Sequence, residues 1–152
     1  NYLLVKDKNS FAKLIEMKNF APDLVFLFDE SGKEINTDVE NKLCRGNAPY
    51  HLKNYKTLTD LVYTDKKLED FISLFKFKDD SEIKTDATKP TVFVTTSLYG
   101  EKYKANKQML ELYNQYKADY NFYVINTDFN TDWAKDWNIK VEGYVSITRR
   151  IL

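Results

Sequence analysis

The side chains with the most chemistry to offer fall in two places. The first is "LCRGNAPYH", residues 43–51, which holds the only cysteine, Cys44, and the only histidine, His51. A thiol beside a guanidinium, here Arg45, is an arrangement that lowers a thiol pKa and stabilises the anion, as a nucleophilic or peroxidatic cysteine requires. The plainer reading of a lone cysteine is an inert, half-buried residue. One cysteine excludes an intramolecular disulfide and any metal site built on several cysteines. A single histidine without a His or Cys cluster reads as a loop residue rather than a ligand. The second place is the turn "TTSLYGEKYK", residues 95–104. It lies between an apolar run and a helical pattern, where many α/β proteins keep functional groups.

Three further residues have a functional and a structural reading. Asp128 ends a strand pattern, a position that suits a functional carboxylate, but it also suits the cap of the following turn. Trp133 and Trp137 are four apart and share a helix face. They read as core anchors, or as a contact surface if only one is buried.

Elements that would position these residues can be placed from periodicity. "YLLV" (2–5) is a strand. Ser10 stands where a helix N-cap belongs, and Phe11, Leu14 and Ile15 make one apolar face. "DLVFLFD" (23–29) is a buried strand, "DESGKE" a tight turn at Gly32, and "EIN" a returning strand. "NKLCRGNAPYH" (41–51) reads as loop, and residues 37–57 as a whole are the least readable part of the chain. Thr64 reads as the N-cap of an amphipathic helix whose face is Leu68, Phe71, Ile72 and Phe75. The charges at 65–67 and 76–80 read as solvated, and 78–89 as a surface connection. "TVFVTT" (91–96) is a strand. A helix from about Glu101 to Asp119 carries a stripe of Tyr103, Met109, Leu110, Tyr113, Tyr116 and Tyr120. "NFYVINT" (121–127) is the next strand. Strand, helix and strand at this length predict a βαβ unit with parallel strands and a right-handed crossover. Residues 130–138 predict a short helix and 143–148 a final strand.

The totals narrow the function classes. The chain has 152 residues, 43% hydrophobic, with 10 Phe and 11 Tyr. That suits one domain, 1–152, and argues against disorder. Lys plus Arg equals Asp plus Glu at 23 each, so no global field favours nucleic acid or an anionic membrane. No basic stripe is interleaved with aromatics. No apolar run approaches a membrane span. The start at Asn1 is compatible with export after removal of a leader.

"KPTVFVTTSLYGEKYKANKQMLELYNQY", "NFYVINTD" and "WAKDWNIKVEGYVSI" together resemble the central run of a thioredoxin-like domain, over residues 89–148. The resemblance implies an α/β three-layer sandwich. Its mixed sheet would have a central parallel βαβ unit and helices on both faces, with residues 1–88 forming the N-terminal strand or hairpin and helices. Two N-terminal matches compete. "LLVKDKNSFAKLI…DLVFLF" resembles the family's opening strand–helix–strand, whereas "FAPDLVFLFDESGKEI" resembles the hairpin that opens peroxiredoxin-like members, and the hairpin is preferred. A complete fold of this kind continues into another antiparallel strand and a last helix, which "TRRIL" does not supply.

Laid on the family pattern, the redox motif falls on "GEKY". Gly100 stands at the first cysteine position and Tyr103 at the second, and "VEGY" has no proline where the family carries a cis-proline. Neither side chain supports thiol exchange, which needs an attacking thiolate and a resolving thiol. The resemblance therefore implies a redox-inactive module with no cofactor and no metal, binding a protein or peptide partner. Its groove would lie between the turn 97–103 and the loop 141–144, with Leu98, Tyr99, Gly100, Tyr103 and Tyr144 in contact. The alternative is a thiol-dependent enzyme, peroxidase or sulfurtransferase-like, using Cys44 with Arg45. "LCRG" is similar to the Cys-Arg loop of sulfurtransferases.

Overall fold

The computed structural model describes residues 2–16, 25–36, 52–57, 61–96 and 105–127, and the side chains of 105–109 are not part of that description. In chain order the elements are strand β1 (Tyr2–Val5), helix α1 (Lys8–Glu16), β2 (Val25–Phe28) and β3 (Lys33–Ile35). A short 3₁₀ turn (Tyr55–Thr57) follows. Then come β4 (Tyr63–Lys67), α2 (Leu68–Ile72), β5 (Phe75–Lys76), β6 (Thr91–Thr96), α3 (Ala105–Tyr116) and β7 (Asn121–Asn126).

The strands form one mixed sheet in the order β4-β3-β2-β6-β7-β1-β5. At its centre β6 and β7 pair in parallel, in register from Thr91↔Asn121 to Thr96↔Asn126. With α3 between them they make the expected parallel strand–helix–strand unit. β1 extends the parallel part beside β7. All six residues of β6 are buried, as expected of a strand covered on both faces. β2 lies against the other edge of β6 and runs antiparallel, with Val25 opposite Val94.

The hairpin is local chemistry made visible. Asp29 Oδ1 accepts from the Ser31 N–H, the Ser31 hydroxyl and the Lys33 N–H at 2.9, 2.7 and 2.9 Å. Burial pushes this carboxyl up, but those hydrogen bonds win and hold it below its ordinary value. Gly32 supplies φ +79°, a left-handed angle that costs glycine nothing. An added Cβ there would sit 3.4 Å from the Leu68 Cβ. β3 then returns antiparallel, Leu27 opposite Ile35, so residues 25–35 form the local hairpin that the turn at Gly32 predicts.

Alternation sends side chains to two faces. One core contains Val25, Leu27, Val92, Val94, Phe122 and Val124, covered by Leu112 of α3 and by Leu52 and Tyr55. The other contains Leu3, Phe26, Phe28, Phe93 and Ile125, covered by Leu14 of α1 and Phe71 of α2. The protein is thus mixed α/β with helices on both faces of the described sheet.

Five local expectations need correction. Asp7, not Ser10, caps α1: its Oδ1 accepts the Ser10 N–H at 2.8 Å, and that bond leads the causes holding its pKa down. Ser10 is inside the helix and buried, while Ile15 points to solvent at 53% exposure. Thr64 caps nothing, because residues 63–67 are β4. The cap of α2 is Lys67, with no side-chain bond, and the helix has only five residues. The spacing of Leu68, Phe71 and Ile72 is real, but Phe75 already belongs to β5. Sheet pairing with β3 overrides the local helical pattern here. On α3, Leu110 is 61% exposed and Leu112 is the buried residue. Tyr113 and Tyr116 are half-buried against the core, and Tyr120 is buried beyond the helix end.

Candidate functional site

The described chain leads up to the expected site and stops at its threshold. β6 and β7 end side by side at Thr96 and Asn126. The Thr96 carbonyl accepts the Thr127 N–H at 2.8 Å and the Thr127 hydroxyl at 2.9 Å. Thr95 is 1% exposed and Thr96 6%. These bonds close the ladder and fix the point from which the chain leaves β6 toward Leu98. Carboxyl ends of parallel strands are where open α/β sheets place ligands.

Leu98, Tyr99, Gly100, Tyr103 and Tyr144 lie outside the described residues. So do Cys44, Arg45, His51, Asp128, Trp133 and Trp137. Among the described residues, no three His, Cys, Asp or Glu side chains gather as a metal site. No helix there is long and apolar enough to cross a membrane.

The amino end of the same strands is built differently. The Tyr55 hydroxyl donates to Glu30 Oε2 at 2.8 Å, and the Tyr120 hydroxyl donates to the Leu52 carbonyl at 2.8 Å. The two rings lie 6.2 Å apart, and Lys56 meets Asp119 at 3.5 Å. Burial pushes both phenols well above their ordinary pKa; Glu30 adds to the shift of Tyr55 and Asp119 to that of Tyr120. Asn121 holds the preceding loop, donating to the carbonyls of Asp86 and Lys89 and accepting the Asp86 N–H. Through these hydrogen-bonded phenols, this end fastens residues 52–57 to the sheet.

Two clefts open on the surface. A wide one of about 720 Å³ is bordered by Tyr2, Phe77, Lys78, Asp79 and Ser81. A second of about 390 Å³ lies between α1, β4 and α2. It is lined by Lys13, Lys66 and Lys67 together with Asp65 and Asp70, so charges of both signs border it.

One cluster escaped sequence reasoning altogether. Glu34, in β3, is 3% exposed. Its Oε2 accepts the Thr64 hydroxyl at 2.6 Å and lies 3.4 Å from the Lys66 ammonium. Lys66 Nζ also sits 5.9 Å from the centre of the Phe26 ring. The available signal was alternation: Thr64 and Lys66 share a face if 63–67 is a strand, and opposite if it is a helix.

No protein-family model matches this chain, and no curated protein or solved structure matches it either.

Proposed function

We propose that the chain is a redox-inactive thioredoxin-like module that binds a protein or peptide partner at the turn following β6. The observation that carries the reading is the parallel β6–α3–β7 unit, from which that turn emerges at the carboxyl end. Helices on both faces of the sheet support it as well. At the turn, Gly100 and Tyr103 stand where the family has cysteines, so the site keeps its place and lacks the thiols for exchange. Leu98, Tyr99, Gly100 and Tyr103, with Tyr144, are the contact residues of this reading. Tyrosine suits such a role, combining a large apolar ring with a hydroxyl.

The test joins contact and chemistry. A photo-crosslinking residue at position 99 is expected to give a covalent adduct with a defined partner. Tyr103→Ala is expected to remove that adduct while circular dichroism is unchanged. The wild-type chain is expected to reduce a disulfide substrate no faster than buffer with reductant. Turnover that disappears in Cys44→Ala would overturn the reading in favour of a thiol enzyme.

A further inference from the structure

The edge strand β4 carries a device that the proposed binding site does not use. β4 ends the described sheet on one side. An edge strand offers unpaired N–H and C=O groups, a template for a strand from another chain. Val62 and Tyr63 are 46% and 44% exposed beside it, so apolar surface is available to reward such pairing.

Three independent features oppose it. First, the ladder with β3 is irregular: Lys33 pairs with Lys67 and Ile35 with Tyr63, so two steps on β3 span four on β4. A bulge of this kind bends and twists the edge. Second, the bulge is fastened from inside. The Lys66 N–H donates to Thr64 Oγ1 at 3.2 Å, which takes one backbone donor out of use. The Thr64 hydroxyl in turn donates a hydrogen bond to Glu34 Oε2, and the Lys66 ammonium pairs with the same carboxylate. Third, Asp65 and Lys67 are exposed on the outward face of the strand. An approaching strand would have to desolvate both.

We propose that Glu34, Thr64 and Lys66 form a lock that holds β4 in a bulged shape and shuts this edge to strand addition by a second copy of the chain. Glu34 is buried because it anchors that shape. Among the described residues its partners come from β4, so the lock forms when β4 is in this register. Asp65 and Lys67 supply the charge that makes the remaining edge unattractive. A partner of the protein must then bind elsewhere than by strand pairing at β4.

The experiment compares wild type with T64V/D65T/K67T and with the surface-only variant D65T/K67T. Sedimentation velocity and amide exchange of residues 63–67 are followed at low and high protein concentration. In wild type, exchange at 63–67 is expected to be independent of concentration. In the triple variant it is expected to slow by roughly tenfold at the high concentration as β4 edges pair, with a matching rise in sedimentation coefficient. If the triple variant does not fold, D65T/K67T is expected to show the same change to a smaller extent. Concentration-dependent protection of 63–67 in wild type, or none in the folded variants, would overturn the proposal.

Discussion

Phe93 and Val94 are neighbours in β6, yet they look into two differently built cores. Phe93 meets rings on every side: Phe71 at 5.0 Å, Tyr123 at 5.3 Å, Phe28 at 5.9 Å and Phe75 at 6.4 Å. Val94 sits among Val25, Leu27, Val92 and Val124, under a cover of Leu112 with Tyr55 and Tyr120. The first core is closed mainly by hydrocarbon, through α1 and α2. The second is closed at its rim by phenols that must each find a partner for the hydroxyl. The difference teaches that stability on the Phe93 side is chiefly a matter of volume, with the buried phenol of Tyr123 donating to the Lys84 carbonyl at 2.6 Å, while on the Val94 side the joined phenols of Tyr55 and Tyr120 give hydrogen bonds and protonation a larger share.

The largest effect should come from volume. Phe93→Ala removes the ring at the centre of the aromatic cluster and is expected to cost about 3–5 kcal/mol. Val94→Ala, one residue away and equally buried, loses two methyl groups and should cost about 2 kcal/mol. Chemical denaturation of both variants measures the gap. Equal losses would remove the contrast between the two cores.

The fastening of residues 52–57 comes next. Tyr120→Phe keeps the ring and leaves the Leu52 carbonyl without its buried donor, at a cost of about 1–2 kcal/mol. Amide exchange should quicken at Tyr55, Lys56 and Thr57, while the amides of β1 and α1 on the other face stay slow. Loss of protection on both faces together would mean that the two cores open as one unit.

At high pH, protonation tests the buried phenols of both cores. Tyr55, Tyr120 and Tyr123 are each raised, with burial the leading cause. A raised phenol pKa means that the folded state holds its proton more tightly than the unfolded chain. Its contribution to stability is whole below the ordinary value of 10.0 and is lost as pH climbs through the folded value. Absorbance of phenolate should therefore show these three tyrosines titrating only as the chain unfolds. A single smooth titration of all tyrosines in folded protein would contradict it.

How much of this was readable beforehand differs by region. β6 was legible to the residue and β7 to within one, 121–127 against Asn121–Asn126, because buried apolar runs of this kind need no partner to recognise. The hairpin was legible from Gly32 and Asp29, whose turn chemistry is local. β4 was not: "YTDKK" has little strand propensity, and its pairing with β3 comes from Glu34, thirty residues earlier than Thr64. On α3 the stripe was right for Tyr113, Tyr116 and Tyr120 but took the exposed Leu110 in place of Leu112, two residues on. The fastening of Tyr55 and Tyr120 joins residues far apart in sequence, which periodicity does not see. The turn 97–103 drew its meaning from resemblance, and the structure contributes the ladder end at Thr96 that precedes it.

The smallest expected effect tests whether the hairpin belongs to either core. Asp29 sits at the turn, outside both, and its pKa lies below the ordinary 3.8 because three donors converge on one oxygen. A lowered carboxyl pKa adds stability above the unfolded value, and the addition fades as pH falls through the folded one. Asp29→Asn keeps the shape and one acceptor oxygen but removes the charge. It should cost about 1 kcal/mol or less at neutral pH, since the turn is partly solvated. The gap between variant and wild type should shrink as pH falls below 3.8. A gap that stays constant with pH would show that Asp29 acts through geometry alone. A gap larger than that of Tyr120→Phe would show that the turn carries the Val94 core, reversing the order argued from burial.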